Sequence, residues 1–489
     1  MATTTARTGT RNLILALACA AQFMVVMDVA IVNVALPSIQ RDLGVSESTL
    51  QWVVIAYGLL LGGFLLFGGR LADLLGRRRI LLTGLIIFSG ASLLAGVSQS
   101  IGILIAARGL QGFGAALVTP AALSILAVTF TEGQERNRAL GIYGAVGGTS
   151  ATVGVIASGL LTDGPGWRWI FFINVPVGIV LVALATVFLV VDRADRTAGH
   201  FDVAGATTVT GGLLLLVYGL NRAADYGWGA PATLALFGAA AVLLASFVRV
   251  EARSRHPLVP PAALRNRTLV AANLSAFFVF AAFFSFIFLG SLLMQQVLGY
   301  SATKTGVSWL ATSVTAFIAS AVTGAQLVGR FGVRRLLVTG LSLLAIGVLW
   351  LARVPADADY VTDLLPALVL AGIAIGLCAP SAQIGALSGV TDAATGFAAG
   401  LVETMREVGG AAGVAAVSTV LVSQVGLSGF HAAFVVICIA GALGAITATV
   451  AFERRSRPTD EPAIGPGPPP GGGTLIPLPV PVEDRRGPA

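Results

Sequence analysis

Five charged residues lie inside apolar stretches long enough to cross a lipid bilayer, and their types could do chemistry there. They are Asp28, Arg108, Glu403, Arg406 and Glu407. An isolated carboxylate in hydrocarbon costs several kcal/mol, so each acid must face a protein cavity, pair with a cation or bind a proton. Each of these alternatives points to transport across a membrane.

Asp28 lies in the first apolar run, LILALACAAQFMVVMDVAIVNVALP at residues 13–37, and Arg108 lies in the run at 101–126. At 1.5 Å per helical residue, Asp28 is about 12 Å and Arg108 about 10 Å from the same side of the membrane. Desolvation favours a neutral carboxyl and a nearby guanidinium favours the carboxylate, so protonation of Asp28 can respond to conformation. A static buried ion pair that fixes helix packing is the alternative.

The other three charges lie in the segment ETMREVGG, at residues 403–410. Glu403 and Glu407 are four residues apart and therefore share a helix face, and Arg406 is three residues from Glu403. The glutamates lie about 10 and 16 Å from the inner end of their run. They could form a second proton site, bind cationic substrates, or form a self-satisfied network with Arg406.

The elements that position these residues are predicted to be membrane-spanning helices. Of the 489 residues, 56% are hydrophobic and 11% charged, against roughly 25% charged in soluble domains. A spanning helix needs about 20 mainly apolar residues, and no segment alternates as barrel strands do. The predicted fold is therefore all-α and integral to the membrane. The fourteen predicted spans lie near 13–36, 51–69, 80–97, 101–126, 139–161, 170–191, 203–220, 231–250, 269–293, 305–329, 334–352, 364–388, 396–422 and 430–452.

The basic residues predict the orientation of the chain. Most of the 30 Lys and Arg residues fall on one side of the predicted membrane, the side that carries both termini. By the positive-inside rule this side is cytoplasmic, so we expect a multi-pass protein of the cytoplasmic membrane. The same asymmetry explains the net charge of +7 without a nucleic-acid partner.

A short repeat predicts that the chain is built from two halves. Residues 76–85, GRRRILLTGL, recur at 332–341 as GVRRLLVTGL, which is typical of a duplicated six-helix unit. Convergence of two positive-inside loops is the alternative. The expected organisation is a cytoplasmic N-terminus (1–12), an N-terminal six-helix bundle (13–191), two inserted helices with a cytoplasmic linker (192–268), a C-terminal six-helix bundle (269–452) and a disordered Pro/Gly-rich cytoplasmic tail (453–489).

Four segments resemble those of the major facilitator superfamily. GRLADLLGRRR at 69–79 resembles its loop between helices 2 and 3, and RGLQGFGAA at 108–116 resembles its helix 4 motif. MDVAIVNVALP at 27–37 and WRWIFFINVPVG at 167–178 are similar to segments of the fourteen-helix drug:proton antiporters of the EmrB/QacA family. The resemblance covers about residues 1–452. It implies two six-helix bundles plus two inserted central helices, with helices 1 and 4 lining a central cavity.

The resemblance also implies further site residues. The candidates for a latch at the inner gate are Gly69, Asp73, Gly76 and Arg77, for which a solvated topogenic loop is the alternative; Arg78 and Arg79 favour that alternative. The candidates for the substrate cavity are Asn33, Gln111, Asn273, Phe277 and Phe284. Span 5 departs from the family's GPxxGG motif and reads GVIASG, in which Gly154 and Gly159 are expected to allow close helix packing.

The expected function is export of amphipathic drugs or antibiotics by alternating access, driven by the proton gradient without a cofactor. The partners are the substrate, protons and lipid, and the chain is expected to act as a monomer. The sequence has no GxxxxGK[ST] phosphate loop, and its three histidines are scattered, which argues against ATP hydrolysis and against an enzyme. Export of an endogenous metabolite or peptide, solute:proton symport, and a membrane sensor or scaffold are the alternatives.

Overall fold

The computed structural model describes residues 2–189, 202–254, 259, 265–423 and 426–452. Residues up to Phe452 belong to one compact unit. The predicted tail at 453–489 and part of the predicted linker lie outside the described residues.

Within the described residues, fourteen helices, α1 to α14, account for the predicted spans. They are α1 (Ala2–Leu43), α2 (Trp52–Leu75), α3 (Arg77–Gly96), α4 (Ile101–Thr129), α5 (Gln134–Asp163), α6 (Asn174–Phe188), α7 (Val203–Tyr226), α8 (Pro231–Glu251), α9 (Arg267–Leu292), α10 (Leu310–Val322), α11 (Val328–Leu351), α12 (Leu365–Leu387), α13 (Thr395–Ser423) and α14 (Leu427–Ala451). Shorter helical turns connect several of them, and no strand occurs in the part of the chain that the structure describes.

One helical stretch contains two crossings. Thirteen stretches of the described chain are long and apolar enough to cross a membrane, and one of them, Thr303–Leu351, has 49 residues. A straight helix of that length would extend about 74 Å, more than twice the hydrocarbon core of a bilayer. Its path is interrupted at Gly332, whose φ of 77° and ψ of 157° are not helical. This break falls near the start of α11 and divides the stretch into one crossing that contains α10 and a second formed by the rest of α11, which agrees with the fourteen predicted crossings.

The first helix is longer than its apolar run. The predicted span ends at residue 36, whereas α1 continues through Pro37 to Leu43. Arg41 Nε donates to the Pro37 carbonyl over 3.2 Å, and Gly44 follows the helix with a φ of 62°. The end of this helix is therefore set by local hydrogen bonds and by a glycine in the left-handed conformation, and it could not be predicted from the end of the apolar run.

The sequence repeat is also a structural repeat. Gly76 and Gly332 occupy equivalent positions and both have positive φ, at 96° and 77°. Two residues later, Arg78 donates to the carbonyl of Thr186 in α6 over 2.6 Å, and its counterpart Arg334 donates to that of Thr449 in α14 over 2.7 Å. Arg78 is therefore tied to the last helix of its half, whereas the sequence favoured a solvated residue.

The helices form an N-half, α1–α6, and a C-half, α9–α14, whose cores join at one end. We call the end with the two repeated arginine loops the basic end, and the opposite end the far end. At the basic end one hydrophobic cluster includes residues of both halves, such as Leu81 and Leu337. At the far end the core divides into a cluster around Phe171 in the N-half and one around Phe434 in the C-half. The halves are therefore packed together most extensively at the basic end.

The two inserted helices are central in the chain but peripheral in space. α7 packs over the contact between α2 and α13, where Leu214 and Val217 fill the space left by Gly63 and Gly62 of α2. The loop after α7 places Trp228 Nε1 2.8 Å from Thr419 Oγ1 of α13. α8 packs on the outer face of α7 and is otherwise largely exposed. The insertion thus covers one seam between the halves.

Candidate functional site

Asp28 in α1 and Arg108 in α4 form a buried ion pair. Nη1 of Arg108 donates to Oδ2 of Asp28, and the two residues are 1% and 0% exposed. This contact agrees with the matching depths predicted from the sequence. A charged pair so deep in the bundle must have its remaining hydrogen-bonding atoms satisfied by protein groups.

Two amides complete the surroundings of the Asp28 carboxylate. Its Oδ1 accepts a 3.1 Å hydrogen bond from Gln111 Nε2 and a 2.8 Å hydrogen bond from Asn174 Nδ2. An ionised carboxylate only accepts hydrogen bonds, so three donors suit the charged form. Gln111, a predicted cavity residue, is fully buried here and also donates to Ser92 Oγ over 2.7 Å.

The Arg108 guanidinium is fixed from three sides. Nε donates to the carbonyl of Val53 over 3.1 Å, and Nη1 lies 3.0 Å from Gln111 Oε1. The guanidinium carbon lies 4.3 Å from the centre of the Tyr57 ring, a distance at which an aromatic face attracts a cation. Helices α2 and α4 therefore hold Arg108 in the position from which it meets Asp28.

Sequence reasoning did not identify Asn174 as a site residue. It lies in the quoted segment WRWIFFINVPVG, which supported only the resemblance. The one available signal was an amide in an apolar run, because a buried amide in a membrane must find a polar partner.

The C-half contains a second cluster of charges, as the spacing of residues 403–407 predicts. Arg406 Nη1 lies 2.6 Å from Glu403 Oε2, and Arg406 Nη2 lies 3.0 Å from Glu407 Oε1. Gln383 of α12 donates to Glu403 Oε1 over 3.3 Å. We call Glu403, Arg406 and Glu407 the α13 ion cluster. Two carboxylates share one guanidinium in it.

The α13 ion cluster faces the N-half. Tyr143 of α5 is within electrostatic range of Glu403 and Arg406, and its hydroxyl donates to Gln22 Oε1 over 2.8 Å. Tyr57 is within electrostatic range of the α13 ion cluster and also of the Asp28–Arg108 pair. The side chain that stacks on Arg108 is therefore close enough to interact with both sets of charges.

Asp73 joins the halves at the basic end. Its two carboxylate oxygens accept hydrogen bonds of 2.8 Å each from the backbone N–H groups of Gly396 and Phe397. These groups belong to the first turn of α13, which has N–H groups without intrahelical partners and a partial positive charge. Asp73 of the N-half thus caps a helix of the C-half.

Arg77 adds a second set of contacts across the same seam. Nη2 donates across the seam to Thr395 Oγ1 over 3.0 Å and to the carbonyl of Asp392, while Nε donates to Ser124 Oγ of the N-half over 2.8 Å. Arg77 also lies 3.6 Å from Asp73.

Two glycines of the predicted latch have separate structural reasons. A Cβ at Gly69 would overlap the carbonyl of Gly396, so glycine permits the close approach of α2 to α13. Gly76 has a φ of 96°, which allows the chain to turn sharply between α2 and α3.

A further contact at the basic end was not identified from the sequence. Gly389 N donates to Glu132 Oε1 over 3.1 Å, and Arg136 Nη2 donates to the carbonyl of Leu387 over 3.2 Å. Glu132 and Arg136 also form a 2.7 Å ion pair with each other. The loop between α4 and α5 and the first turn of α5 therefore bind the end of α12 and the residues that follow it, about 250 residues away in sequence.

The remaining predicted cavity residues do not gather around one polar centre. Asn33 is exposed on α1, whereas Asn273 is buried and donates to the carbonyl of Leu269 over 2.8 Å. Phe277 and Phe284 pack against the glycines of α13. The phenylalanine near the α13 ion cluster is Phe280, whose ring centre lies 5.7 Å from the Arg406 guanidinium.

The altered motif of α5 is explained in part by its neighbours. A Cβ at Gly154 would lie 2.8 Å from the carbonyl of Met27, so this glycine allows close packing of α5 on α1. Gly159 has no such neighbour within 4 Å and makes no close helix contact here. Ser158 donates to the carbonyl of Ile31 over 2.6 Å, and Val155 fills the space left by Gly306 in the C-half.

Comparisons with known proteins place the chain in a family. The profile of the Major Facilitator Superfamily matches residues 18–414 and 272–481. The puromycin resistance protein pur8 of Streptomyces alboniger is 40% identical over 403 residues, which cover 82% of this chain and 80% of that protein. The cephamycin export protein CmcT of Amycolatopsis lactamdurans is 37% identical over 419 residues, which cover 85% of this chain and 86% of that protein.

A solved structure has the same fold. The human organic anion transporter MFSD10 superposes with a TM-score of 0.68 at 15% identity, covering 90% of this chain and 99% of that one. At this identity the likeness concerns the fold alone. The profile match and the two relatives establish that this chain belongs to the major facilitator superfamily.

Proposed function

We propose that this chain exports amphipathic drugs or antibiotics in exchange for protons. Relatives named for antibiotic resistance or export align with 82% and 85% of it. The concentration of arginines at the basic end supports a cytoplasmic location for that end and for both termini. The chain then acts in the cytoplasmic membrane as a monomeric carrier, not as an enzyme, and needs no cofactor beyond the proton gradient.

The observation that carries the proton-coupling proposal is the buried carboxylate of Asp28 with its three donors. Protonation would remove the charge that balances Arg108, and an uncompensated charge in a buried pair costs about 3–5 kcal/mol. Protonated Asp28 would therefore favour a different arrangement of α1 and α4. A proton that binds one conformation better than another is what coupling requires.

Protonation of Asp28 is the only change of charge that the proposed coupling requires around this carboxylate. The charged and titratable groups that face Asp28 are Arg108 from α4 and Tyr57 from α2, whereas Gln111 and Asn174 are neutral amides. One charge moving through 100 mV supplies about 2.3 kcal/mol, more than a tenfold gradient of an uncharged substrate requires.

In the proposed cycle, the conformation closed at the basic end receives a proton from outside. Protonation of Asp28 frees Arg108, and the basic end opens when the contacts of Asp73 and Glu132 with the C-half break. Substrate then enters from the cytoplasm as the proton leaves. The substrate-loaded carrier then closes at the basic end and releases the substrate outside, and the deprotonated Asp28 pairs with Arg108 as in the arrangement described above.

Everted membrane vesicles test this function. Their outer face is the cytoplasmic face, so an imposed acidic interior should drive uphill uptake of cationic, neutral or anionic antibiotics from a panel. We expect uptake by the wild type that a protonophore abolishes and that Asp28→Asn lacks. Uphill movement in the opposite direction would indicate symport, and no transport of any compound, including metabolites and peptides, would indicate a sensor or scaffold.

A further inference from the structure

We propose that the α13 ion cluster, together with Gln383 and Phe280, binds the protonated amine of an amphipathic substrate. This inference rests on the proposed export function, because it names the class of substrate that the carrier recognises. It also assigns the cluster to substrate binding, in preference to a second proton site or a purely structural network.

The balance of charge favours a cationic ligand. The cluster contains two carboxylates and one guanidinium, and its polar neighbours Gln383 and Tyr143 are uncharged. Asp28 and Arg108, which also act on Tyr57, neutralise one another. The α13 ion cluster itself therefore has one uncompensated negative charge when both glutamates are ionised.

Two buried acceptor atoms in the cluster accept no hydrogen bond. They are Oε1 of Gln383 and Oε2 of Glu403, on side chains that are 9% and 1% exposed. Glu403 Oε2 lies 2.6 Å from Arg406 Nη1, but the guanidinium N–H bonds are not aligned with it, so this contact is an ion pair without a hydrogen bond. Both oxygens therefore have hydrogen-bonding capacity left for a further donor.

An alkylammonium group matches this site. It has three donors and no acceptor, so it can donate to Gln383 Oε1 and to Glu403 Oε2 while it adds the missing positive charge. A ligand carboxylate would add acceptors and a third negative charge to the same site. The unfilled hydrogen-bonding capacity and the charge therefore favour the same ligand chemistry.

The aromatic side of the site suits the rest of an amphipathic molecule. The ring of Phe280 lies 5.7 Å from the Arg406 guanidinium, and it meets the ring of Phe284 edge to face at 5.5 Å. Aromatic faces attract cations and also offer apolar surface to a hydrocarbon body.

The position of the site allows access during transport. Glu403 and Glu407 lie about 12 and 18 Å along α13 from its first residue, which is at the basic end. The side chains of Arg406 and Glu407 are 14% and 20% exposed. A Cβ added at Gly62 of α2 would lie 3.9 Å from Glu407, so the site borders the interface between the halves.

Equilibrium binding to the purified full-length chain in lipid nanodiscs tests the proposal without requiring transport. The probes are puromycin, which has a protonatable amine, and its N-acetylated form, in which the same nitrogen is uncharged. We expect the wild type to bind the amine at least tenfold more tightly than the acetylated form near neutral pH, a difference of about 1.4 kcal/mol. Glu403→Gln should abolish this preference and Glu407→Gln should reduce it, with little change for the acetylated probe.

Glu135→Gln is the matched control, because Glu135 pairs with Arg11 at the surface and lies outside the cluster. It should keep the wild-type preference. Three results would overturn the proposal: no binding of the amine by the wild type, equal binding of the two probes, or an unchanged preference in Glu403→Gln. Failure of vesicle transport with an intact amine preference would instead reject the export function alone.

Discussion

Asn174 in α6 donates a 2.8 Å hydrogen bond to Oδ1 of Asp28 in α1, and both residues are fully buried. The hydrogen bond joins the last helix of the N-half to the carboxylate that we propose as the proton carrier. Its strength should therefore set the pH at which export responds to protons.

Asn174→Ala should move the pH dependence of export upward. Loss of a donor to the carboxylate favours the protonated form, so Asp28 should hold its proton to higher pH. A hydrogen bond to a charged group is worth about 1.5–3 kcal/mol, which corresponds to roughly one to two pH units. The measurement is the pH midpoint of export in proteoliposomes.

Asn221→Ala is the control for this substitution, because Asn221 donates only to the backbone carbonyl of Val217 in α7. Its pH midpoint should equal that of the wild type. An unchanged midpoint in Asn174→Ala would argue that the hydrogen bond does not tune proton binding.

Tyr57 should act by positioning Arg108. Tyr57→Phe keeps the aromatic face under the guanidinium and should retain most of the export rate. Tyr57→Leu removes the aromatic face and should raise the activation free energy of export by up to about 2 kcal/mol, which lowers the rate roughly thirtyfold. The comparison is made on initial export rates at saturating substrate, and equal losses in the two variants would contradict a role for the ring.

Asp73→Asn should weaken closure of the basic end. The carboxylate caps the first turn of α13, and loss of a charged cap costs about 1–2 kcal/mol. Spin labels at the exposed positions Arg138 and Thr391, on opposite halves, should report a larger population of long distances. Glu132→Gln should act in the same direction, and a distance distribution that neither variant changes would exclude both residues from the gate.

Gly69→Ala should prevent the close approach of α2 to α13. The added methyl group would overlap the carbonyl of Gly396, so α2 and α13 must move apart at this point. Export should be lost, and the labels at Arg138 and Thr391 should report the same long distances as in Asp73→Asn. Gly58→Ala in the same helix is the matched control, because its Cβ position has no neighbour within 4 Å. Normal export by Gly69→Ala would show that this approach is dispensable.

The helices and the meeting of Asp28 with Arg108 could be predicted from the sequence for physical reasons. Bilayer thickness sets the length of an apolar run, and a charge cannot remain isolated in it. The sequence could not assign Asn174 or Gln383 to the site, because a single amide residue in an apolar run forms no pattern with other polar residues that would identify its partner. It also missed Glu132 and Arg136, since their partners are backbone groups of the other half, which no side-chain motif identifies.

The central claim is that Asp28 couples export to protons, and Asp28→Asn in proteoliposomes tests it most directly. We expect this variant still to exchange labelled for unlabelled substrate at equal concentrations, because binding and alternating access remain. An imposed pH gradient should no longer drive uphill movement, and substrate should no longer drive proton flux. Uphill export by Asp28→Asn at the wild-type rate, with undiminished proton flux, would show that Asp28 does not couple export to protons.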